Sequence, residues 1–253
     1  MNSPRSFRVE ALVLRHRDWG EADRLLTLYT RQRGKIRAVA KGARKIRSRK
    51  AGHLQPFTHI TLQLARARGP YIITQVETLD AYVPLREDLT LTASASYLVE
   101  LLDQFTYEEE EINLALFNLL NESLARLSRG EGTWVIIRNY EMRLLDYLGF
   151  RPRLFHCAGC EAEIKAEAQF FAASQGGVLC PSCGIGHPSA RPVDMETLKY
   201  LRHFQRSSYP DARRANPHRE IRARIDALMQ FYLTYLLERG LNSPQFLKEI
   251  KRS

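Results

Sequence analysis

Four cysteines in two Cys-x-x-Cys pairs are the clearest chemical signal in the chain: Cys157 with Cys160 and Cys180 with Cys183. Two such pairs, about twenty residues apart, can bring four thiolates together tetrahedrally on one Zn²⁺. The spacing therefore predicts one structural zinc ion, because four sulfur ligands leave no open position for catalysis. A redox dithiol is the alternative, and it requires a Cys-x-x-Cys at a helix N-terminus that follows a strand.

A basic run over residues 34–50 is the second candidate site. Its first half alternates cationic and apolar residues, as a strand with one buried face would, and its second half continues without any acid. No Asp or Glu occurs between Asp23 and Glu77. Such crowded like charges repel one another, and a polyanion would relieve that repulsion. The residues predicted to contact nucleic acid are Lys35, Arg37, Lys41, Arg44, Lys45, Arg47, Arg49 and Lys50.

A solubilising surface loop is the alternative interpretation of this run, although solubility alone does not require so long a segment without acids. Aromatic residues nearby could stack on bases if their rings are exposed. The candidates are Trp19, Tyr29, Phe57 and Tyr71, and each of them could equally belong to the core of a small barrel.

Composition agrees with a globular nucleic-acid-binding protein. The chain has 253 residues, 44% of them apolar and 26% charged, with a formal net charge of +10. It shows no secretory signal pattern and no apolar run that would span a bilayer, so we expect a cytoplasmic protein without a membrane partner. It also lacks a phosphate-binding Gly-x-x-x-x-Gly-Lys loop, a Gly-x-Ser-x-Gly elbow and a His-Glu-x-x-His pair. We therefore expect a protein that is not an enzyme.

Hydrophobic periodicity predicts an α+β fold. Five short strands over 7–17, 22–31, 35–41, 57–65 and 71–80 indicate a small closed barrel, of either the OB or the SH3-like type. Helices are predicted over 88–105, 112–128, 133–148, 194–205 and 217–239, the last capped by Asn216 and ended by Gly240. The predicted domains are a barrel (1–80), a helical domain in two parts (81–150 and 192–253) and an intervening cysteine module (151–191).

The first helices and their flanks are acidic, and the run 108–111 consists entirely of glutamate. A solvated helix face is the simple interpretation of this charge. The alternative is that the acidic segment competes with DNA or docks against the basic barrel.

Several stretches follow one another in a characteristic order: Trp-Gly-Glu-Ala-Asp-Arg-Leu-Leu-Thr-Leu-Tyr-Thr at 19–30, the basic run from Gly34 to Arg44, the strand at 56–64, a helical domain, Leu-Gly-Phe-Arg-Pro at 148–152 and the two cysteine pairs. In this combination they resemble the RecO family of bacterial recombination mediators. The resemblance implies an N-terminal OB-fold barrel, followed by an α-helical domain with an inserted four-cysteine zinc module. It implies binding of single- and double-stranded DNA and annealing of complementary strands. It also implies loading of RecA, with RecR, onto DNA coated by single-stranded-DNA-binding protein.

By position, Lys35, Arg37, Lys41 and Arg44 match the strand and loop that the family uses for DNA. The four cysteines match the zinc positions of those members that have them. The family also binds the acidic tail of single-stranded-DNA-binding protein on its helical domain, which implies a nucleoid-associated location. An RNA-binding factor with an OB barrel and a zinc ribbon is the main alternative; a nuclease and a protein scaffold are two others.

Overall fold

The computed structural model of the protein describes residues 6–108 and 112–237. These residues fall into two compact units, with the boundary between Thr133 and Trp134. We call the first the barrel unit and the second the cysteine unit.

The barrel unit begins with a closed five-stranded barrel. Its strands are β1 (Ser6–Trp19), β2 (Asp23–Thr30), β3 (Gly34–Ala40), β4 (His59–Ala65) and β5 (Tyr71–Asp80). They are ordered β1-β2-β3-β5-β4, β1 also pairs with β4, and β3 and β5 run parallel. This order is that of an OB fold, which settles the choice that periodicity left open. All five predicted strands are confirmed, with ends that differ by a few residues.

Alternation along the strands builds the core of the barrel. Ile36, Ala38 and Ala40 of β3 point inward, and Ile60 and Leu62 of β4 meet them from another wall. The outward side of β3 carries its cations, as the alternation predicts. A one-turn 3-10 helix (Ala51–Leu54) then contributes Leu54 to the same core.

Three helices complete the barrel unit: α1 (Pro84–Glu87), α2 (Leu89–Phe105) and α3 (Leu114–Ser128). The Asp88 carboxylate accepts from the Leu91 amide at 2.8 Å and caps α2, and Asn113 caps α3 in the same way. Tyr82 lies before α1 and donates its hydroxyl to Asn121 of α3 at 2.9 Å. Side-chain caps therefore set where α2 and α3 begin, and the Tyr82–Asn121 hydrogen bond holds α3 to the segment before α1. The C-terminal end of α2 lies against Lys35 of β3.

The cysteine unit combines a long helix, a small sheet and further helices. Its elements are α4 (Thr133–Tyr147), β6 (Gln169–Ala172), β7 (Gly177–Leu179), α5 (Pro181–Gly184), β8 (Ala190–Val193), α6 (Met195–Arg206), α7 (Tyr209–Ala212) and α8 (Arg219–Leu237). The sheet has the order β7-β6-β8 and is antiparallel throughout. Phe171 of β6 packs edge-on against Tyr232 of α8, with ring centroids 5.4 Å apart. This contact joins the sheet to the last described helix.

One predicted helix start is wrong. The last helix begins at Arg219, and Asn216 does not cap it, because the Asn216 side chain instead accepts a hydrogen bond from the Arg222 guanidinium at 2.9 Å. The predicted end of this helix and its stop at Gly240 lie outside the described residues. The division of the sequence into four domains also stays a prediction, although α1–α3 group with the barrel and α4 with the cysteines.

None of the helices within 6–108 and 112–237 combines the length and the apolar character needed to cross a membrane.

Candidate nucleic-acid interface and metal centre

Lys35 on β3 is largely buried against the end of α2. Its ammonium lies 2.5 Å from the Asp103 carboxylate and donates to the carbonyl oxygen of Thr106 at 3.0 Å. Only 11% of the side chain is exposed. A cation is favoured beside the carbonyl groups at a helix C-terminus, so Lys35 joins the barrel to α2.

Arg37 and Lys41 are also paired, although both remain accessible. Arg37 Nε lies 2.6 Å from Glu108 Oε1, and about half of its side chain is exposed. Lys41 Nζ lies 2.8 Å from Asp23. The hydrogen bond from Lys41, helped by one from the Gly42 amide at 2.8 Å, holds the pKa of Asp23 below its ordinary value. The Lys41–Asp23 contact is therefore an ion pair at neutral pH.

Arg44 ties the loop after β3 to the turn between β1 and β2. Its guanidinium lies 3.2 Å from the Asp18 carboxylate and donates to the carbonyl oxygen of Glu21 at 3.2 Å. The Arg44 amide also donates to the Ala22 carbonyl at 2.9 Å. These bonds hold the loop over residues 41–50, which we call the basic loop, beside the tip of the first hairpin.

The remaining cations of the basic loop are more accessible to a ligand than the paired ones. Within the described residues, Lys45, Arg47 and Arg49 form no salt bridge, and all three are exposed. Lys50 is half-buried and donates to the Ile73 carbonyl at 3.0 Å. Between the open cations lies Ile46, whose side chain is fully exposed. The loop thus presents positive charge and one apolar side chain to solvent.

The aromatic candidates divide into two classes. Tyr29 and Phe57 are buried, so they are core residues and cannot stack on bases. Tyr71 is half-buried and meets Phe7 edge-on at 5.4 Å. Trp19 is 42% exposed at the tip of the first hairpin, with the Arg17 guanidinium 5.4 Å from its ring centroid. Trp19 is therefore the most exposed of the four candidates and lies on the hairpin that contacts the basic loop.

The structure thus distributes the eight predicted cations among different environments. Lys35 is engaged by α2, three residues are in exposed ion pairs, Lys50 is bonded to backbone, and three are open. That all eight contact nucleic acid stays a prediction. Sequence reasoning missed Ile46, whose exposure follows from its position in a loop rather than from any motif.

The four cysteines come together in the cysteine unit. All four sulfur atoms lie within 4.8 Å of one another, and Cys160 Sγ is 3.8 Å from Cys180 Sγ. None of the cysteines is in a disulfide. Cys157 is buried, while Cys160 is exposed at the rim. The group has the ligand number and the spacing that a tetrahedral metal ion requires, so these residues can hold one metal ion.

Backbone amides stabilise the thiolate form of Cys157, which favours a bound cation. Burial opposes ionisation of Cys157, but hydrogen bonds from the amides of Cys160, Cys180 and Gly159 outweigh it and lower its pKa to about 6. The Cys180 amide lies 3.3 Å from this sulfur. By contrast, hydrogen bonds with the other three thiols raise the pKa of Cys183 to about 12. Four thiols this close cannot all lose their protons without a cation among them.

Close packing around the cluster requires glycine at two positions. A Cβ on Gly184, directly after Cys183, would overlap the ring of Phe170. A Cβ on Gly177 would lie 2.5 Å from the Arg153 carbonyl oxygen, because the two backbones form a bridge there. Gly184 therefore lets the second cysteine pair pack on the Phe170 side chain of the sheet, and Gly177 lets β7 approach the backbone that precedes the first pair.

One feature of the structure fits the alternative that a Cys-x-x-Cys pair is a redox dithiol. Cys180 directly follows β7 and precedes α5, so this pair does stand at a helix N-terminus after a strand. However, α5 is a single turn, and the sulfurs of Cys157 and Cys160 lie within 4.8 Å of the same pair. Four converging thiols favour a metal site over a two-cysteine redox site.

Comparison with known proteins identifies the family. Residues 1–82 match the family described as Recombination protein O N terminal, and residues 86–245 match Recombination protein O C terminal. A protein named DNA repair protein RecO from Roseiflexus sp. (strain RS-1) is 39% identical over 248 residues, covering 98% of this chain and 87% of the relative.

Two further relatives carry the same name, DNA repair protein RecO. The one from Desulforamulus reducens is 35% identical over 247 residues, with 98% of this chain and 96% of the relative covered. The one from Pelotomaculum thermopropionicum is 38% identical over 245 residues, with 95% and 93% covered. The chain belongs to the RecO family of DNA repair proteins.

Proposed function

We propose that this protein is a non-enzymatic recombination mediator. It binds single- and double-stranded DNA, anneals complementary strands and, with RecR, helps to load RecA onto DNA coated by single-stranded-DNA-binding protein. The observation that carries the DNA-binding part is the basic loop, where Lys45, Arg47 and Arg49 are exposed and form no salt bridge with any described residue.

The physical task of such a mediator is to bring two strands together that repel each other. Cations on a protein surface replace the counterions around phosphate and so lower the local cost of that approach. Base pairing then supplies the sequence-specific free energy, so the protein needs no base-reading code. The basic loop, with its open cations and one exposed apolar residue, fits a protein that neutralises phosphates while base pairing provides the sequence specificity.

RecR, RecA and the acidic tail of single-stranded-DNA-binding protein are proposed partners on the basis of family membership. A mediator with these partners acts on the nucleoid in the cytoplasm. The proposal assigns no residue to the RecR contact or to the tail pocket.

A strand-annealing assay tests the proposal. Complementary DNA coated by single-stranded-DNA-binding protein is mixed with wild-type protein or with the triple variant Lys45→Gln, Arg47→Gln, Arg49→Gln. A matched control removes three exposed cations from the cysteine unit, by Lys165→Gln, Lys199→Gln and Arg219→Gln. We expect slower annealing by the loop variant and near wild-type rates for the control. Equal rates for all three proteins would refute the role of the loop.

Two further measurements separate the alternatives. Competition between single-stranded DNA and RNA of equal length reports whether 2′-hydroxyl groups are preferred, and a clear preference for RNA would favour the RNA-binding factor. Incubation of end-labelled DNA with Mg²⁺ or Mn²⁺ would reveal a nuclease by cleavage. We expect no RNA preference and no cleavage.

We also propose that the metal held by the cysteines is one structural Zn²⁺ per chain. Sulfur ligands in two Cys-x-x-Cys turns suit zinc, and its role would be to stabilise the cysteine unit, because small zinc modules gain about 10–16 kcal/mol of binding free energy. Elemental analysis should give one zinc per chain, and Cys183→Ser should lower the melting temperature of the cysteine unit. A purified, fully folded protein without zinc would overturn this assignment.

A further inference from the structure

The four cysteines of the cysteine unit differ in their exposure to solvent. Cys157 is buried, Cys180 and Cys183 are half-buried, and Cys160 is exposed. The residues that follow Cys160 in the chain are also exposed, as far as Glu163. A small solute in water therefore reaches the Cys160 side chain more easily than those of the other three cysteines.

A sulfur atom of the other Cys-x-x-Cys pair lies next to this exposed residue. Cys180 Sγ is 3.8 Å from Cys160 Sγ, and a disulfide bond measures about 2 Å, so a shift of about 2 Å brings the two atoms together. The Cys157 sulfur is within 4.8 Å as well, but it accepts a hydrogen bond from the Cys180 amide at 3.3 Å. Because that bond holds the buried Cys157 sulfur in place, Cys180 is the better placed partner for Cys160.

We propose that Cys160 is the peroxide-sensitive residue of the cysteine unit, and that its oxidation ends in a disulfide bond with Cys180 and release of the metal. The inference rests on the proposed zinc site, in which all four cysteines are thiolates. Susceptibility to peroxide follows thiolate character and exposure, and Cys160 has the greatest exposure of the four.

The oxidation consists of two balanced steps. The Cys160 thiolate attacks one oxygen of hydrogen peroxide and the O–O bond breaks, which gives a sulfenic acid and a hydroxide that takes up a proton to form water. The Cys180 thiolate then attacks the sulfenic sulfur, the S–O bond breaks, and a second hydroxide leaves and becomes water. Two thiolates thus lose two electrons in total, and one peroxide is reduced to two molecules of water.

The disulfide removes two of the four sulfur ligands. Structural zinc is held by four ligands, so the remaining Cys157 and Cys183 hold it much more weakly and it is released. The new bond joins the two cysteine pairs covalently, which a chelator cannot do. Oxidation therefore replaces a metal cross-link by a covalent one, and a thiol reductant together with Zn²⁺ should restore the original site.

Peptide mapping of the full-length protein tests the assignment. Zinc-loaded protein is treated with hydrogen peroxide, the remaining thiols are alkylated, and the protein is digested with trypsin. Trypsin cleaves after Lys165, between the two pairs, so each pair ends on its own peptide unless a disulfide joins them. We expect the two peptides to be joined through Cys160 and Cys180, with release of zinc that a colorimetric indicator follows. A disulfide within either pair, a link through Cys157 or Cys183, or oxidation that leaves zinc bound would overturn the proposal.

Two matched variants separate the two steps. Cys160→His and Cys180→His each keep a zinc-binding side chain, because one histidine with three cysteines is a common structural zinc site. In Cys160→His the most accessible thiolate is absent, so peroxide should release zinc at least about tenfold more slowly than in wild type. In Cys180→His the first step remains and the second lacks its thiolate, so dimedone should trap a sulfenic acid on Cys160. Equal rates of zinc release in wild type and Cys160→His would contradict the proposal. If a variant binds no zinc, the peptide map of the wild-type protein decides.

Failure of this inference is distinguishable from failure of the proposed functions. Untreated protein that contains no zinc refutes both the zinc site and the inference that rests on it. Zinc-bound protein that is oxidised elsewhere refutes only the assignment to Cys160. Neither result bears on DNA binding by the basic loop, which belongs to the barrel unit.

Discussion

The two halves of the basic run, residues 34–40 and 41–50, both carry cations and no acid, but their surroundings differ. In the strand half, Lys35 and Arg37 face carboxylates from the α2 region at 2.5 and 2.6 Å. In the loop half, Lys41 and Arg44 are paired near the loop base, while Lys45, Arg47 and Arg49 form no salt bridge with a described residue. Charge in sequence is therefore not the same as charge available to a ligand.

The difference follows from secondary structure. An outward residue on a strand in a barrel lies where a helix can pack, so its charge must be compensated when the helix covers it. A residue in a projecting loop stays in water, where no compensation is needed. The strand half thus contributes mainly to assembling the barrel unit, and the loop half supplies the working charge.

The largest expected effect comes from removing the open loop cations. The triple variant Lys45→Gln, Arg47→Gln, Arg49→Gln should lose about 100-fold in affinity for single-stranded DNA near 0.1 M salt, and its salt slope should become shallower by about 2. Both numbers follow if each cation contacts one phosphate. Fluorescence anisotropy across a salt series measures them together. A loss of affinity without a change in slope would mean that the loop acts through shape rather than charge.

A measurement of unfolding stability tests the structural role of the strand half, residues 34–40. Lys35→Met should lower the free energy of unfolding by about 2 kcal/mol, because it leaves the Thr106 carbonyl at the helix end without this donor and removes one of the two cations from Asp103, whose carboxylate keeps Arg15 at 2.8 Å. Lys41→Met is the control, since its pair is exposed and worth at most about 1 kcal/mol. Urea unfolding of both variants provides the values. If Lys35→Met were fully stable but lost DNA affinity, the division between the halves would be wrong.

A smaller effect is expected for Ile46→Ala. Apolar side chains can insert between bases, and a fully exposed isoleucine among cations is placed to do so. We expect about fivefold weaker binding to single-stranded DNA, equivalent to about 1 kcal/mol, with no change in salt slope because no charge is lost. Unfolding should be unaffected, since the side chain has no packing to lose. Unchanged affinity would remove Ile46 from the interface.

The smallest effect concerns Asp23→Asn, which frees Lys41 at the base of the loop. Affinity should rise by about twofold, the scale of one exposed pair. Because the pKa of Asp23 is lowered, its carboxylate stays ionised even at a pH somewhat below the ordinary pKa of an aspartate. The ion pair with Lys41 is lost only as the pH falls through this lowered value. Lowering the pH from 7 to 5 should therefore not imitate the variant. A similar gain at pH 5 in the wild type would contradict this assignment.

Much of the fold was predictable because it depends on local patterns. Alternation located the strands, and the spacing of the cysteines predicted their convergence, since metal ligation demands that spacing. The partners of the basic residues were not predictable in this way. Asp103 lies 68 residues from Lys35, so only the packing of α2 on the barrel brings them together.

The wrong N-cap has a similar origin. Asn216 followed by Pro217 is typical of a helix start, yet Arg222 binds the Asn216 side chain and the helix begins at Arg219. A side chain further along the chain outcompeted the local cap. Tyr29 and Phe57 are buried as well, although neither belongs to the side-chain cluster inside the barrel.

Chemical modification of lysine tests the central claim without any substitution. The basic run contains Lys35, Lys41, Lys45 and Lys50, and mass spectrometry can report the acetylation of each one with and without single-stranded DNA. We predict that Lys45 reacts readily in the free protein and is protected by DNA, whereas Lys35 reacts slowly in both states. Rapid reaction of Lys35 that DNA suppresses, together with an unprotected Lys45, would contradict the account.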